Sequence, residues 1–272
     1  MPSPEGAALG WLESIILGIV QGLTEFLPVS SSGHLVVVPA LFGWEQPSLT
    51  FDLVLHLGTL IAVVFAFRDE LWVLALGVAG RGEEPEVARR LVWLLFLASI
   101  PAAIAGLAFG DFFEERFDDP IATCFELLGT AVILLAAEWV IRRGEGHTAI
   151  DAKRSGIIGV AQAFAILPGI SRSGATIAGG LVTKVSREDA TRFSFLLAIP
   201  AIAGAVATKI PDVASGDFEV TGPVVAGFIV ATVVGWLSIA WLLRYVRTHS
   251  FVPFALYLIA AAPIAALVIE LR

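Results

Sequence analysis

Gly-Ile-Val-Gln-Gly-Leu-Thr-Glu-Phe-Leu-Pro-Val-Ser-Ser-Ser-Gly-His, residues 18–34, returns in altered form as Gly-Val-Ala-Gln-Ala-Phe-Ala-Ile-Leu-Pro-Gly-Ile-Ser-Arg-Ser-Gly-Ala-Thr over residues 159–176. At a constant offset of 141 residues, Gly18 falls on Gly159, Gln21 on Gln162, Ser30 on Ser171, Ser32 on Ser173 and Gly33 on Gly174. The Leu27-Pro28 step reappears as Leu167-Pro168, slipped by one residue. Small residues do recur in membrane helices without common origin. Here the shared residues are polar and punctuate the same place, which reads as an internal duplication. Duplicated halves that each carry a broken apolar segment point to a site near the membrane midplane.

Of the 272 residues, 57% are hydrophobic and 15% charged, and the mean hydropathy is +0.86. A soluble domain averages roughly 45–50% apolar and 25% charged residues, so the chain reads as a polytopic membrane protein. The first residues carry Glu5 and Glu13 in place of a basic leader, so the first apolar stretch is expected to remain in the mature protein. Cys124 is the only cysteine, which rules out an intrachain disulfide. The net charge of −8, with no concentrated basic face, excludes nucleic acid as a partner. Fourteen arginines stand against three lysines. Acidic, lysine-poor loops fit a high-salt host, and arginine-rich usage equally fits a GC-rich genome.

The apolar run 7–27 is broken by Glu13, Gln21 and Glu25 and ends at Pro28; after Ser-Ser-Ser-Gly a second run extends from Leu35 to Phe42. Neither spans a bilayer core, which needs ~20 residues of helix. The pattern predicts a re-entrant hairpin over about 7–43, tolerated only where protein or water covers its open backbone. A second hairpin is predicted over about 155–183, with its short helix running from Ala175 to Val182. Crossings are expected at 50–67, 91–110, 120–141, 186 to about 208, 224–243 and 251–269. Ser186 and Asp189 form a capping-box pattern for the fourth of these.

The expected fold is therefore all-α: six transmembrane helices plus two re-entrant helical hairpins in an inverted-topology repeat. The single membrane domain divides into residues 1–145 and 146–272. Three crossings per half invert the second half. The connections 68–90, 142–154, 184–192 and 244–249 hold 13 of the Lys and Arg residues, while Arg116, Lys209 and Arg272 fall on the other side. The positive-inside rule then places the first connections in the cytoplasm and the first hairpin, both termini and the acidic loops outside.

Arg172 is expensive inside an apolar segment unless it meets an anion. Ser171 and Ser173 add hydroxyl donors, Gly174 admits a close backbone approach, and a helix N-terminus follows. A guanidinium suits phosphate oxygens through paired donors. The alternative is a structural ion pair with Glu25. Glu25 stands four residues after Gln21, so both lie on one helix face. This carboxylate suits a divalent cation shared with phosphate, or acid-base work, unless burial keeps it neutral. His34, beside Ser30, Ser31 and Ser32, is a candidate nucleophile, base or acid. His56 lies within a crossing with no role specified; His147 and His249 fall in polar connections.

Gln-Gly-Leu-Thr-Glu-Phe-Leu-Pro-Val-Ser-Ser-Ser-Gly-His at 21–34 and Leu-Pro-Gly-Ile-Ser-Arg-Ser-Gly-Ala-Thr at 167–176 resemble the two signatures of the undecaprenyl-diphosphate phosphatase family of the bacitracin-resistance type. The likeness extends to Phe193–Pro200 and Phe251–Ala255. It implies a multi-pass cell-membrane phosphatase that removes the terminal phosphate of a C55 polyprenyl diphosphate and so recycles the carrier for cell-wall glycan assembly. It implies a divalent cation, Mg²⁺ or Ca²⁺, and a site opening to the outer face. Carried over, Glu25 with Gln21 becomes the cation ligand or acid-base group. His34, Ser30 and Ser31 become the nucleophile and proton-transfer candidates, and Ser171, Arg172, Ser173, Gly174 and Thr176 the phosphate binders. Gln21 departs from members with Glu there and removes one negative charge. The partners are the lipid substrate and membrane lipids; a homodimer is left open. In an archaeal host the carrier would be dolichyl-type. The rival reading is a lipid flippase or anion transporter, since alternating-access carriers also use inverted repeats with broken helices. A carrier needs no nucleophile, and His34 and Glu25 beside a phosphate cradle favour the enzyme.

Overall fold

The computed structural model describes residues 10–114, 119–142, 149–214 and 220–272, and all secondary structure among them is helical. Six helices are long and apolar enough to cross a membrane: α3 (Leu49–Ala66), α5 (Pro85–Glu114, apolar to Ala108), α6 (Pro120–Ile141), α9 (Arg187–Ala214, apolar to Lys209), α10 (Gly222–Tyr245) and α11 (Val252–Glu270). They coincide with the six expected crossings, and this is a multi-pass membrane protein. The Ser186 hydroxyl accepts the Asp189 N–H at 3.1 Å, so the predicted cap starts α9. Residues 68–78 form the short helix α4 (Arg68–Val78). Arg116 with residues 115–118 of the acidic loop, and Arg143 and His147 with residues 143–148 of the basic connection, lie outside the described residues.

Four other helices are too short to cross. They are α1 (Trp11–Thr24), α2 (Ser31–Phe42), α7 (Ala152–Phe164) and α8 (Arg172–Val182), each about 17–21 Å long at 1.5 Å per residue, against a core of about 30 Å. Pro28 and Pro168 follow the ends of α1 and α7, where proline's missing N–H stops a helix. The next helix restarts on a serine in each case. Ser30 Oγ accepts the Gly33 N–H at 3.3 Å, and Ser171 Oγ accepts the Gly174 N–H at 3.0 Å. These caps correct the expected starts: α2 begins at Ser31, ahead of Leu35, and α8 at Arg172, ahead of Ala175. Small polar residues read as turn in the sequence because their hydroxyls compete with the backbone; here that competition is what caps the first turn.

Close packing of small residues seats the short helices on long ones. A Cβ on Gly18 would stand 2.6 Å from Gly227 O of α10, and one on Gly159 would stand 2.6 Å from Ala98 O of α5. Backbones meet where no side chain intervenes, as in membrane helix pairs generally. Phe26, fully buried, wedges the turn after α1 edge-on against Phe195 of α9, with centroids 5.5 Å apart.

At one end of the bundle, the buried Glu138 of α6 accepts Arg187 Nε (2.9 Å) and Nη2 (2.6 Å) from α9 and the Phe251 N–H (2.8 Å) ahead of α11. Arg192 pairs with Glu70 at 2.8 Å and Arg247 with Glu188 at 3.1 Å at this same end, and Arg154 Nε donates to Thr183 O at 3.3 Å. At the other end Gly222 meets Trp11, and Gly43 meets Arg272. The Glu138 clamp fastens three crossings through one carboxylate. Glu138→Ala leaves Arg187 and the Phe251 N–H without that partner and is expected to destabilise the protein by about 3 kcal/mol, read as a lower Tm in detergent. Glu138→Gln, which keeps part of the bonding, is expected to fall between the two.

Candidate active site

Glu25 follows the last residue of α1, where Phe26 holds the chain against α9. Its carboxylate is almost wholly buried, and both oxygens are engaged. Oε1 lies 2.5 Å from Arg172 Nη2. Oε2 accepts Ser31 Oγ at 2.5 Å and Gln21 Nε2 at 3.1 Å, with His56 Nε2 at 3.7 Å. Side chains from four elements, the farthest 147 residues from Glu25 in sequence, thus converge on one carboxylate. Apolar surroundings strengthen each of these attractions relative to water.

The tips of the two broken segments interlock. Ser30 Oγ donates to Pro168 O at 2.7 Å, the Ser32 hydroxyl donates to the same carbonyl, and Ser173 Oγ donates to Leu27 O at 3.1 Å. Each turn therefore donates serine hydroxyls to a carbonyl of the other turn's Leu-Pro step; Leu27 O also accepts the Val29 N–H of its own turn at 2.8 Å. Thr130 of α6 supports the second tip, donating to Gly169 O and accepting the Ser171 N–H, both at 2.9 Å.

Ser30 carries φ 71° and ψ 102°. For a residue with a Cβ this backbone costs on the order of 1–3 kcal/mol and persists where surrounding bonds over-determine it. It swings the chain so that Ser31, the next residue, meets Glu25, a hydroxyl and a carboxylate within proton-transfer distance. Ser30 itself is committed to its cap and to Pro168. The His34 imidazole bonds away from the carboxylate: Nδ1 lies 2.7 Å from Ser30 O and Nε2 2.9 Å from the Tyr257 hydroxyl of α11.

On the second tip, Arg172 is the first residue of α8. Its Nη2 holds Glu25, while Nη1 is buried with no hydrogen-bond partner among the described residues. Nη1 is a charged donor awaiting an acceptor, beside a helix N-terminus whose first N–H groups lie outside the helix ladder. Ser171 and Ser173 share a 3.1 Å contact. Gly174 sits in a crowded place: a Cβ there would stand 3.0 Å from Ser171 Cβ and 3.3 Å from Thr130 Cγ2. Thr176 points elsewhere, to Ser194 Oγ of α9 at 2.6 Å and Arg172 O at 2.8 Å.

The structure thus gathers Gln21, Glu25, Ser31 and Arg172, with Ser30, Ser171, Ser173 and Gly174 shaping the tips. It leaves Thr176 in the packing against α9 and turns His34 toward α11. The ion pair weighed as an alternative for Arg172 is present, yet half of the guanidinium stays free. His56 had a legible signal, an ionisable side chain within a crossing. Tyr257 had none, since only the approach of α11 to α2 gives it meaning.

Because a carboxylate only accepts, Gln21 must turn its amide nitrogen to Glu25. Among the described residues its Oε1 is then left buried and unpartnered, as is Oδ1 of Asp52, one turn before His56 on α3. No group of three His, Cys, Asp or Glu residues poised for a metal occurs among the described residues. One carboxylate and one orphaned amide oxygen fit a hard cation that draws its other ligands from phosphate and water.

Proteins called undecaprenyl-diphosphatase are similar over most of their length: 43% identical in Moorella thermoacetica, covering 96% of this chain and 98% of that relative. The figures are 42% in Elusimicrobium minutum (92% and 94%) and 40% in a Nocardioides species (92% and 93%). The family model described as Bacitracin resistance protein BacA matches residues 14–264, both tips included, and the chain belongs to that family.

Proposed function

We propose that this protein hydrolyses undecaprenyl diphosphate to the monophosphate and inorganic phosphate, recycling the carrier lipid of envelope glycan synthesis. The observation that carries the reading is the half-used guanidinium of Arg172, whose buried Nη1 lacks a partner among the described residues while Nη2 steadies the carboxylate that meets Ser31. Its relatives' name supplies the substrate. A carrier has no need of a hydroxyl set on a carboxylate.

Ser31 Oγ attacks the terminal phosphorus as Glu25 takes its proton. The phosphorus–oxygen bond to the lipid monophosphate breaks, and that oxygen leaves with the bonding pair and takes the proton from Glu25. Water then attacks the phosphoserine, giving a proton to the freed Glu25 carboxylate, which passes it to Ser31 Oγ as the phosphorus–Oγ bond breaks and inorganic phosphate departs. Arg172 and the first N–H groups of α8 hold the equatorial oxygens, so stabilisation of charge and alignment supply most of the rate. Glu25 and Gln21 Oε1 would hold a Mg²⁺ or Ca²⁺ ion. Such an ion neutralises diphosphate charge when bound.

The proposed frame is an inverted repeat with two re-entrant hairpins. Supporting it, α1 lies on α10 as α7 lies on α5, pairs related by the 141-residue offset. The first hairpin has Trp11 and Gly43 at the end shared by Gly222 and Arg272, while Arg154 meets Thr183 at the opposite, arginine-rich end. With that arginine-rich end cytoplasmic, the first hairpin enters from outside and the site opens to the outer face.

Purified protein in detergent is expected to release inorganic phosphate from undecaprenyl diphosphate with Mg²⁺ or Ca²⁺ present. Chelation should cut the rate at least about tenfold, reversibly. A well-folded protein that releases none, under any salt condition, would refute the hydrolase.

A further inference from the structure

The imidazole of His34 is held at both nitrogens, and the chemistry of the two partners fixes its proton. Ser30 O is a carbonyl and only accepts, so Nδ1 carries the hydrogen in the 2.7 Å contact. Nε2 of the neutral ring is then bare and accepts the Tyr257 hydroxyl at 2.9 Å. The two rings lie 13° from parallel with centroids 5.8 Å apart. A hydrogen bond at one ring nitrogen decides which tautomer the other presents.

The acceptor of that Nδ1–H is the carbonyl of the one strained residue at the site. Ser30, at φ 71°, sets the direction in which Ser31 leaves the turn. Its hydroxyl is tied to Pro168 O and its carbonyl to His34. Nothing else from α11 reaches the turn by a side-chain hydrogen bond among the described residues. Tyr257, half-exposed on the crossing helix, therefore acts on a turn it does not touch.

We infer that Tyr257 is a positioning residue for phosphoryl transfer: it locks His34 in the Nδ1–H tautomer, and that tautomer holds the Ser30 turn that aims Ser31 at Glu25. The inference rests on the assignment of Ser31 as nucleophile. It gives His34 the work of a fixed donor to a backbone carbonyl, in place of the base or nucleophile that its sequence neighbours imply. Misalignment by a fraction of an ångström at a reacting atom is costly even when every catalytic group is present.

Three variants and one spectrum test it. Tyr257→Phe is expected to lower kcat about tenfold with KM within twofold of wild type and an unchanged Tm. In a His34→Ala background the same change should have no further effect, because the link it acts through is gone. His34→Asn places an amide N–H near the position of Nδ1 without a titratable nitrogen, and should recover most of what His34→Ala loses. Equal losses from Tyr257→Phe in both backgrounds, or a His34→Asn protein as inactive as His34→Ala, would overturn the proposal. Nitrogen NMR of histidine-labelled protein reads the tautomer without turnover: one protonated Nδ1 and one hydrogen-bonded, bare Nε2 in wild type, shifting in Tyr257→Phe. A mixed tautomer in wild type overturns the inference even if phosphate release is normal. A locked tautomer in a protein that releases no phosphate instead refutes the hydrolase and leaves the clamp on the turn standing.

Discussion

Arg172→Ala is expected to lower kcat/KM for undecaprenyl diphosphate by at least about 10³-fold, the range seen when an arginine that stabilises a transferring phosphoryl group is removed. Two losses compound. The phosphate loses the donor at Nη1, and Glu25 loses its partner at 2.5 Å, leaving a buried carboxylate unpaired beside an incoming dianion. Both kcat and KM should suffer. Arg172→Lys should regain about tenfold, because one ammonium can serve the carboxylate or the phosphate, whereas a planar fork serves both. The Glu25→Ala/Arg172→Ala double variant separates the parts: removing the orphaned charge should improve KM over Arg172→Ala alone and leave kcat low. Steady-state phosphate release and Tm, measured together, decide the matter. Were the pair only structural, Arg172→Ala would lower Tm while each folded molecule kept its turnover, and the phosphate role would be lost.

The crossings were legible because each is a long apolar run, and the tips were legible because polar residues repeat at one offset in an apolar chain. The starts of the two short helices after the tips were not. Ser30 and Ser171 are read as turn by composition, and only their bonds to Gly33 and Gly174 N–H groups make them caps. The chemistry was legible as a set of residue types, and their division of labour was not. Glu25, Ser30, Ser31 and His34 sit within ten residues, so adjacency made all four equal candidates. Distances that cross the chain broke the tie: Ser30 to Pro168, His34 to Tyr257, Ser31 to Glu25. Thr176 belongs to the second signature by spacing, yet one helical turn past Arg172 its hydroxyl already faces Ser194. Gln21 has an oxygen left over after its nitrogen is used, which no sequence pattern encodes.

Ser31→Ala is expected to reduce phosphate release by about 10⁴-fold or more, as when a nucleophile is removed from a group that acts as a unit. Ser30→Gly is the informative companion. Glycine accepts the φ of 71° without strain, so the turn survives while the bonds to Pro168 and Gly33 are lost, and the expected loss is about 10- to 100-fold. The contrast follows from geometry, since one hydroxyl faces the carboxylate at 2.5 Å and its neighbour is spent on holding the tips together. Acid-quenched enzyme should carry a labelled phosphoserine when given terminally labelled substrate, and the label should be absent from Ser31→Ala. If Ser31→Ala stays within tenfold of wild type and no label is trapped, then water is the nucleophile and Glu25 activates it directly. Reversal of the two serines, with Ser30→Gly inactive and Ser31→Ala active, would mean that the strained residue itself swings toward Glu25 when diphosphate displaces Pro168 O from its hydroxyl. The resting contacts oppose that movement, because Ser30 would have to surrender its cap, its bond across the tips and its bond to His34 together.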